Sequence, residues 1–285
     1  MPVNESNVMR NSNLTLTSIC ILGSALCLCF ASCSKDSIPK LKEVDDVCTQ
    51  MDDITFMEFC YDKFDVNKDS KVSLSEAAAV TEISVGDKRI KSLKGIEYFV
   101  NLTSLTCRDL LLTSLDVSNN KSLTKLRCQD NQLTSLDVSK NTALTLLWCF
   151  ENQLTSLDVR NNTALTELQC GSNLLTSLDV SKNTALAHFR CDSNQLTSLD
   201  VSKNTALRAL HCHSNQLTCL DVSNNSALTT IHCDNNQLTS LDVSNCLELT
   251  ILDCAPMPSL ATLYLKQGQR IQTKYIPSSC SVVYK

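Results

Sequence analysis

The segment DVNKDSKVSLSE, residues 65–76, carries side-chain oxygens at a spacing that suits a calcium ion. Twelve-residue calcium loops use side-chain oxygens at positions 1, 3, 5 and 12, and a main-chain carbonyl at position 7. Those positions are held here by Asp65, Asn67, Asp69, Glu76 and Lys71. Position 6, where glycine normally allows the sharp turn, is a serine. The sequence therefore predicts either a calcium site or a loop of similar shape that binds no metal.

A second group of residues that could do chemistry is the histidines. The chain has four, at His188, His211, His213 and His232, with Asp192 and Asp234 close by in sequence. Imidazole and carboxylate groups both bind zinc. However, two outward-facing side chains at i and i+2 do not by themselves close a tetrahedral site. We therefore favour a polar contact surface over a zinc site.

A third group is apolar. Leu146, Trp148 and Phe150 alternate along LTLLWCF, so they should share one face of a strand. An exposed platform of this kind suits a protein or sugar partner, and mutual packing without a ligand is the alternative. Polar residues at equivalent positions nearby complete the predicted binding set: Lys125, Arg127, Gln169, His188, Arg190, His211, His213 and His232. The sequence has no nucleophile elbow, HExxH motif or phosphate loop, so we predict no enzyme.

The elements that position these residues repeat every 21 residues. The phrase LTSLDV begins at Leu112, Leu133, Leu154, Leu175, Leu196 and Leu238, with LTCLDV at Leu217. Cysteines keep the same step, at Cys107, Cys128, Cys149, Cys170, Cys191, Cys212, Cys233 and Cys254. A fixed period of this length is typical of a solenoid, in which each coil buries its apolar side against its neighbours.

Three ladders of side chains follow from this period. The cysteines should be buried free thiols, because side chains in register point in parallel and reach the disulfide torsion with difficulty. Asparagines at 131, 152, 173, 194, 215 and 236 should tie one turn to the next. Aspartates at 116, 137, 158, 179, 200, 221 and 242, on an expected opposite strand, should form Asx-type turns rather than a cation column.

The segment LxxLxCxxNxL in each coil resembles the highly conserved part of leucine-rich repeats, with cysteine at the third apolar position. A 21-residue repeat with a cysteine ladder is similar to the internalin J group of bacterial proteins. The resemblance implies a β-rich solenoid of 21-residue coils with a small helical, EF-hand-like N-terminal cap and a β C-terminal cap. It also implies a concave binding face and a cap that need not hold calcium.

The N-terminus reads as a leader. Residues 18–30 are apolar, and the following Phe30-Ala31-Ser32-Cys33 resembles the lipobox of bacterial lipoproteins. We therefore predict lipidation at Cys33 and an outer-membrane anchor. An ordinary signal peptide is the alternative, and Met9 is an alternative start to Met1.

Together these patterns predict five segments: a signal peptide at 1–32, a tether at 33–42, a helical cap at 43–90, the solenoid at 91–254 and a C-terminal cap at 255–285. The formal net charge of −5 and the absence of a basic cluster argue against nucleic acid. We predict a monomeric, lipid-anchored surface protein, an adhesin or a binder of extracellular protein or glycan. The alternative is a structural or inhibitory protein that faces the periplasm.

Overall fold

The computed structural model describes residues 44–285. The predicted signal peptide, the lipidation site Cys33 and the tether lie outside the described residues, and those predictions stay untested. Among the described residues, no helix is both long enough and apolar enough to cross a membrane.

The N-terminal cap is helical, as the sequence predicts. It contains a 3-10 helix (Val47–Gln50), helix α1 (Ile54–Phe64) and helix α2 (Leu74–Ala79). The Asp53 carboxylate accepts a hydrogen bond from the Phe56 N–H and so begins α1. Ser73 and Glu76 form a reciprocal capping box that begins α2. Phe56 in α1 is completely buried, so the cap packs against the core of the solenoid.

The rest of the described chain consists of turns, irregular segments, a second 3-10 helix (Ile96–Tyr98) and thirteen short parallel strands. They are β1 (Glu82–Ser84), β2 (Ser104–Thr106), β3 (Lys125–Arg127), β4 (Leu146–Trp148), β5 (Glu167–Gln169), β6 (His188–Arg190), β7 (Ala209–His211), β8 (Thr230–His232), β9 (Ser240–Asp242), β10 (Ile251–Asp253), β11 (Thr262–Leu265), β12 (Thr273–Tyr275) and β13 (Ser281–Tyr284). One sheet has ten strands in the order β1 to β8, then β10 and β12. A second sheet has the order β13-β11-β9. The predicted solenoid is confirmed.

The register of the large sheet equals the sequence period. Lys125 pairs with Leu146, and Leu146 pairs with Glu167, each 21 residues further along. In β2 to β8 and in β10 the middle residue points inward, as Leu147 does, and is fully buried together with the ladder cysteine that follows. The first and third residues of each strand therefore point away from the core, which places the variable positions on one face.

The predicted asparagine ladder is confirmed. The Asn152 amide donates to the carbonyls of Cys128 in the previous coil and Cys149 in its own coil, at 3.1 and 3.2 Å. Its Oδ1 accepts from the Leu133 N–H at 3.0 Å. The residue before it, Glu151, has φ +51°, which side chains other than glycine rarely adopt. The amide thus holds a strained turn in place and joins two coils.

A second asparagine ladder escaped the sequence analysis. Asn120, Asn141, Asn162, Asn183, Asn204 and Asn225 are all completely buried. The Asn162 amide, for example, donates to the carbonyls of Val138 and Asn141 at 3.0 and 2.9 Å. Cys246 and then Gln269 continue the ladder at the C-terminal end. The sequence carries the signal for this ladder, an asparagine three residues after each LTSLDV or LTCLDV phrase except the last, but the three predicted ladders do not include it.

The expected strand over LTSLDV is wrong for most coils, since only Ser240–Asp242 forms one. Elsewhere the segment is extended, and the inter-coil backbone bonds move to the turn, where the Gln132 N–H donates to the Leu112 carbonyl at 2.8 Å. The predicted Asx turn is confirmed. The Asp137 carboxylate accepts from the Ser139 N–H at 2.8 Å and is held within its own coil.

The ladder cysteines are unpaired and completely buried, as predicted. The closest approach, between the sulfurs of Cys233 and Cys254, is 3.4 Å, which is a contact and not a bond. Burial raises the pKa of Cys128 to about 12, so its reactive thiolate form is scarce at neutral pH.

We therefore expect the native protein to be labelled quickly by iodoacetamide at Cys219, which is exposed, and not at the ladder. The ladder cysteines should react only after unfolding in urea. Peptide mass spectrometry of both states measures this difference, and Cys219 acts as an internal control. Rapid native labelling of Cys128 or Cys170, or a disulfide between rungs, would contradict the inward register.

Candidate binding surface on the large sheet

The predicted binding residues all lie on one surface, which we call the sheet face. It consists of the first and third residues of β3 to β8 and the residue after each ladder cysteine. The strands carry Lys125, Arg127, Leu146, Trp148, Gln169, His188, Arg190, His211 and His232. Phe150 and His213 directly follow the ladder cysteines of their coils. The period alone therefore placed the whole set on a common face.

Trp148 is fixed by polar neighbours on both sides. The Arg127 guanidinium carbon lies 4.7 Å from the centroid of the indole ring, a cation–π contact. The indole N–H donates to Glu167 Oε1 at 2.8 Å, and the Gln169 amide donates to the same oxygen at 2.6 Å. Sequence reasoning missed Glu167, because a single carboxylate between Thr166 and Leu168 gives no motif.

The apolar platform is smaller than the sequence predicts. Leu146, Trp148 and Phe150 point outward, but each is half-buried. The reason is lateral contact, since Arg127 covers the indole ring and Glu167 holds its polar edge. This part of the sheet face is a single rigid aromatic residue framed by charges. Such a site can combine ring stacking with directional hydrogen bonds.

The histidines form a compact group further along the same face. The rings of His211 and His232 stack with centroids 4.5 Å apart and an interplanar angle of 14°. Burial, followed by repulsion from His232 and Arg190, lowers the pKa of His211 to about 4, so this imidazole is neutral at pH 7. The neutral His211 ring can donate a hydrogen bond from one nitrogen and accept one at the other.

A buried carboxylate anchors this group. Asp192 Oδ1 lies 3.3 Å from Arg190 Nε, and Asp192 Oδ2 lies 3.5 Å from His213 Nε2. Gly171, on the previous coil, leaves room for it, because a Cβ there would come within 2.9 Å of Asp192 Oδ1. The glycine and aspartate therefore act together to hold the inner edge of the Arg190 guanidinium in place.

Comparison with solved structures places the fold. A leucine-rich repeat protein of Leptospira interrogans matches with a TM-score of 0.61 and 20% identity, over 74% of this chain and 62% of its own. This chain has leucine-rich repeat coils and, in its own core, an unbroken column of cysteines. Its fold is that of a leucine-rich repeat solenoid. The predicted resemblance is thereby confirmed at the level of the fold.

Two further leucine-rich repeat structures match. The functional domain of InlJ from Listeria monocytogenes, which includes a cysteine ladder, is 32% identical over 78% of this chain and 57% of its own, with a TM-score of 0.47. The receptor kinase GASSHO1/SCHENGEN3 of Arabidopsis thaliana was solved in complex with CASPARIAN STRIP INTEGRITY FACTOR 2. Its ectodomain has a TM-score of 0.52 and 19% identity, over 65% of this chain and 23% of its own. This chain therefore spans less than two thirds of each of these relatives. No protein-family model and no curated protein sequence matches it.

The sheet face shows no metal centre among the residues that the structure describes. Among residues 44–285, no group of three or more histidine, cysteine, aspartate or glutamate side chains is placed to hold a metal ion. His211 stacks on His232, and His213 pairs with Asp192. These imidazoles therefore already contact other side chains of this protein. The polar contact surface that we favoured over zinc stays a prediction.

The calcium loop of the cap is built around its own N–H groups. The Asp65 carboxylate accepts from the N–H groups of Asp69 and Ser70 at 3.2 and 3.0 Å. Glu76 accepts from Ser73 and from the Val66 N–H, which lowers its pKa. Ser70 has φ +66°, so this serine takes the left-handed turn that glycine usually supplies. The loop has the predicted shape, but Glu76 would have to leave its capping position to bind a cation.

We propose that calcium binds this loop weakly through Asp65, Asn67, Asp69, Glu76 and the Lys71 carbonyl. Millimolar calcium should release heat in calorimetry and raise the melting temperature, since a ligand that binds only the folded state stabilises it. Asp69→Asn removes one charge and should weaken both effects, whereas Asp62→Asn on the exposed side of α1 should change neither. If wild-type protein gives no heat at millimolar calcium, the loop is purely structural.

Proposed function

We propose that the protein binds an extracellular protein or glycan through the sheet face. The observation that carries this proposal is the contrast between a constant scaffold and a variable face. Inward strand positions carry an apolar residue followed by a cysteine in all eight ladder coils, and buried asparagines hold the turns of most of them. The third strand position changes from Arg127 to Trp148, Gln169, Arg190, His211 and His232. A solenoid that varies only one exposed face presents that face to a partner.

The chemistry of the face also favours recognition over catalysis. Several of its side chains hold one another in place. Asp192 holds Arg190, and Glu167 holds Trp148. Rigid, preorganised side chains suit binding because little side-chain entropy is lost when a partner arrives. The plant receptor ectodomain that shares this fold was solved with a partner bound, which supports a binding role.

We also propose that the protein is anchored by lipid at Cys33 in the outer membrane and faces outward. Intact-mass spectrometry of the protein isolated from its own membrane should show a mature N-terminus at Cys33 carrying two or three acyl chains. Cys33→Ser should remain unprocessed, whereas Cys29→Ser should be processed normally. An unlipidated mature protein that begins elsewhere would overturn this proposal.

The alternative, a periplasm-facing interaction protein of the cell envelope, is separated by protease treatment of intact cells. Loss of the protein means that it faces outward, and survival until the cells are lysed means that it faces the periplasm. The partner itself can be sought on an array of host glycoproteins and glycans probed with the purified protein. We expect at least one ligand whose binding falls when Trp148 is replaced by alanine.

A further inference from the structure

A depression of about 360 Å³ lies on the sheet face over β5, β6 and β7. It exists because Ala209 occupies the first strand position, where the neighbouring coils carry the larger His188 and Thr230. Glu167, Gln169, Arg190 and His211 form most of the remaining lining. The missing side chain at Ala209 thus opens a polar recess of the size that small-molecule groups occupy.

The lining offers both kinds of hydrogen-bonding group. Glu167 Oε1 is already shared by Trp148 and Gln169, whereas Oε2 makes no hydrogen bond to any described residue. The Arg190 Nε–H donates to Asp192, and within residues 44–285 the two terminal nitrogens of Arg190 have no hydrogen-bond partner. A ligand group that enters the recess must therefore donate to a carboxylate and accept from a guanidinium within a short distance.

The local charge narrows the class of ligand. Glu167 lines the recess with Arg190, and the buried Asp192 pairs with the same guanidinium, so the three groups together are negative and a free anion would meet net repulsion. An ammonium group can only donate, so it would pair with Glu167 but leave the Arg190 terminal nitrogens without an acceptor. A purely apolar group would leave the Glu167 and Arg190 groups unpaired, which costs binding energy. Hydroxyl groups satisfy both requirements, because each can donate and accept.

We propose that this depression binds one uncharged sugar residue of a glycan. Sugar hydroxyls would donate to Glu167 Oε2 and accept from the Arg190 terminal nitrogens, while the His211 ring edge borders the recess. Because Glu167 also holds the Trp148 indole, the sugar subsite and the aromatic anchor form one continuous site. The inference rests on the proposed function and names the ligand class of the same face.

The single tryptophan of the chain supplies the readout. Its indole N–H bonds the carboxylate that the sugar would engage, so sugar binding should change the emission of Trp148. We would titrate the purified full-length protein with methyl glycosides of glucose, galactose, mannose and N-acetylglucosamine. At least one should give a saturable change at millimolar concentration, and glucuronate should bind more weakly than that glycoside.

Filling the recess tests the location. Ala209→Leu should weaken the response at least about tenfold, as for a blocked group in a pocket. Ser104→Leu makes the same side chain at the same strand position in β2, away from the recess, and should leave the affinity unchanged. Leu146 and Ile251 already occupy this row, so both variants should fold, which equal melting temperatures would verify. If Ala209→Leu does not fold, Arg190→Gln replaces it and should also weaken binding about tenfold.

The inference is overturned by any of three results: no saturable response to any neutral glycoside, undiminished binding by Ala209→Leu, or glucuronate bound as tightly as the best neutral sugar. The proposed function is tested separately with the macromolecule found on the array. In one outcome Trp148→Ala no longer binds that macromolecule, whereas Ala209→Leu still binds both the macromolecule and the sugar. The sheet face is then a binding surface, but the recess is not a sugar subsite. Loss in neither variant would reject both proposals.

Discussion

Replacing Asn173 with alanine is expected to lower the free energy of unfolding by about 3 kcal/mol or more. Its amide donates to the carbonyls of Cys149 and Cys170, and its Oδ1 accepts from the Leu154 N–H, all at 3.0 to 3.1 Å. Truncation leaves these buried backbone groups unpaired, at a cost of about 1–3 kcal/mol for each group that water cannot reach. Ser172, at φ +51°, would also lose the bonds that hold its strained turn.

Urea unfolding followed by circular dichroism measures this effect. Leu174→Ala is the matched control, because Leu174 is the adjacent residue but is 44% exposed and should change stability by less than about 0.5 kcal/mol. Each coil touches only its neighbours, so damage to one central coil should also broaden the transition. If both variants unfold at the same urea concentration as wild type, the asparagine ladder does not hold the coils together.

The second large effect concerns binding. Trp148→Ala should weaken the affinity for the array-identified macromolecule by about 2 kcal/mol or more, roughly thirtyfold. Tryptophan next to arginine is common among residues that dominate interface energy, and here Arg127 and Glu167 hold the ring in a single orientation. Trp148→Phe should fall between wild type and alanine, because it keeps a ring beside Arg127 but loses the N–H that bonds Glu167.

Isothermal titration calorimetry would give the three affinities, again with Leu174→Ala as the apolar truncation off the sheet face. Circular dichroism and melting temperature would show whether each variant remains folded. A variant series in which Trp148→Ala loses stability but retains full affinity would mean that the indole only covers its neighbours. In that case the anchor of the site has been assigned to the wrong residue.

The sequence was sufficient to predict the 21-residue period, the inward register of the strands, the cysteine ladder and the asparagine ladder that begins at Asn131. Every ladder coil repeats an apolar residue, a variable residue and a cysteine, and strand alternation then leaves only one direction for each neighbouring side chain, as at Trp148. The apolar residue is leucine except at Phe189 and Ile231. The period and the register depend on local pattern, which a single sequence carries in full. The helical cap was expected from the family resemblance, and the residues that begin its helices, Asp53 and Ser73, were found in the structure.

Other features depend on contacts between coils, and these escaped the sequence. In the sequence Glu167 looks like any exposed strand residue. Its role appears only in the fold, which places Trp148 beside it in the preceding strand, β4. Gly171 and Asp192 have meaning only as a pair, because the glycine makes space for a carboxylate one coil away. Likewise, the recess appears only when Ala209 is compared with His188 and Thr230 across the sheet.

The extended LTSLDV segment shows a different limit. Its alternation of Leu115 and Val117 with polar residues is a strand pattern, yet the structure forms no ladder there in most coils. The Asp116 carboxylate satisfies the Ser118 N–H within the coil, and the buried Asn141 amide takes the Val117 carbonyl. Side chains thus replace the neighbouring backbone as partners, which periodicity alone cannot reveal.

The central claim, that the sheet face is the binding surface, is tested most directly by oxidative footprinting. Hydroxyl radicals label exposed side chains, and mass spectrometry would compare the free protein with its complex with the array-identified macromolecule. The account predicts protection of Trp148, Phe150 and His232 and unchanged labelling of Leu174 and Tyr284, which lie away from this face. Protection of Leu174 with undiminished labelling of Trp148 and His232 would contradict it.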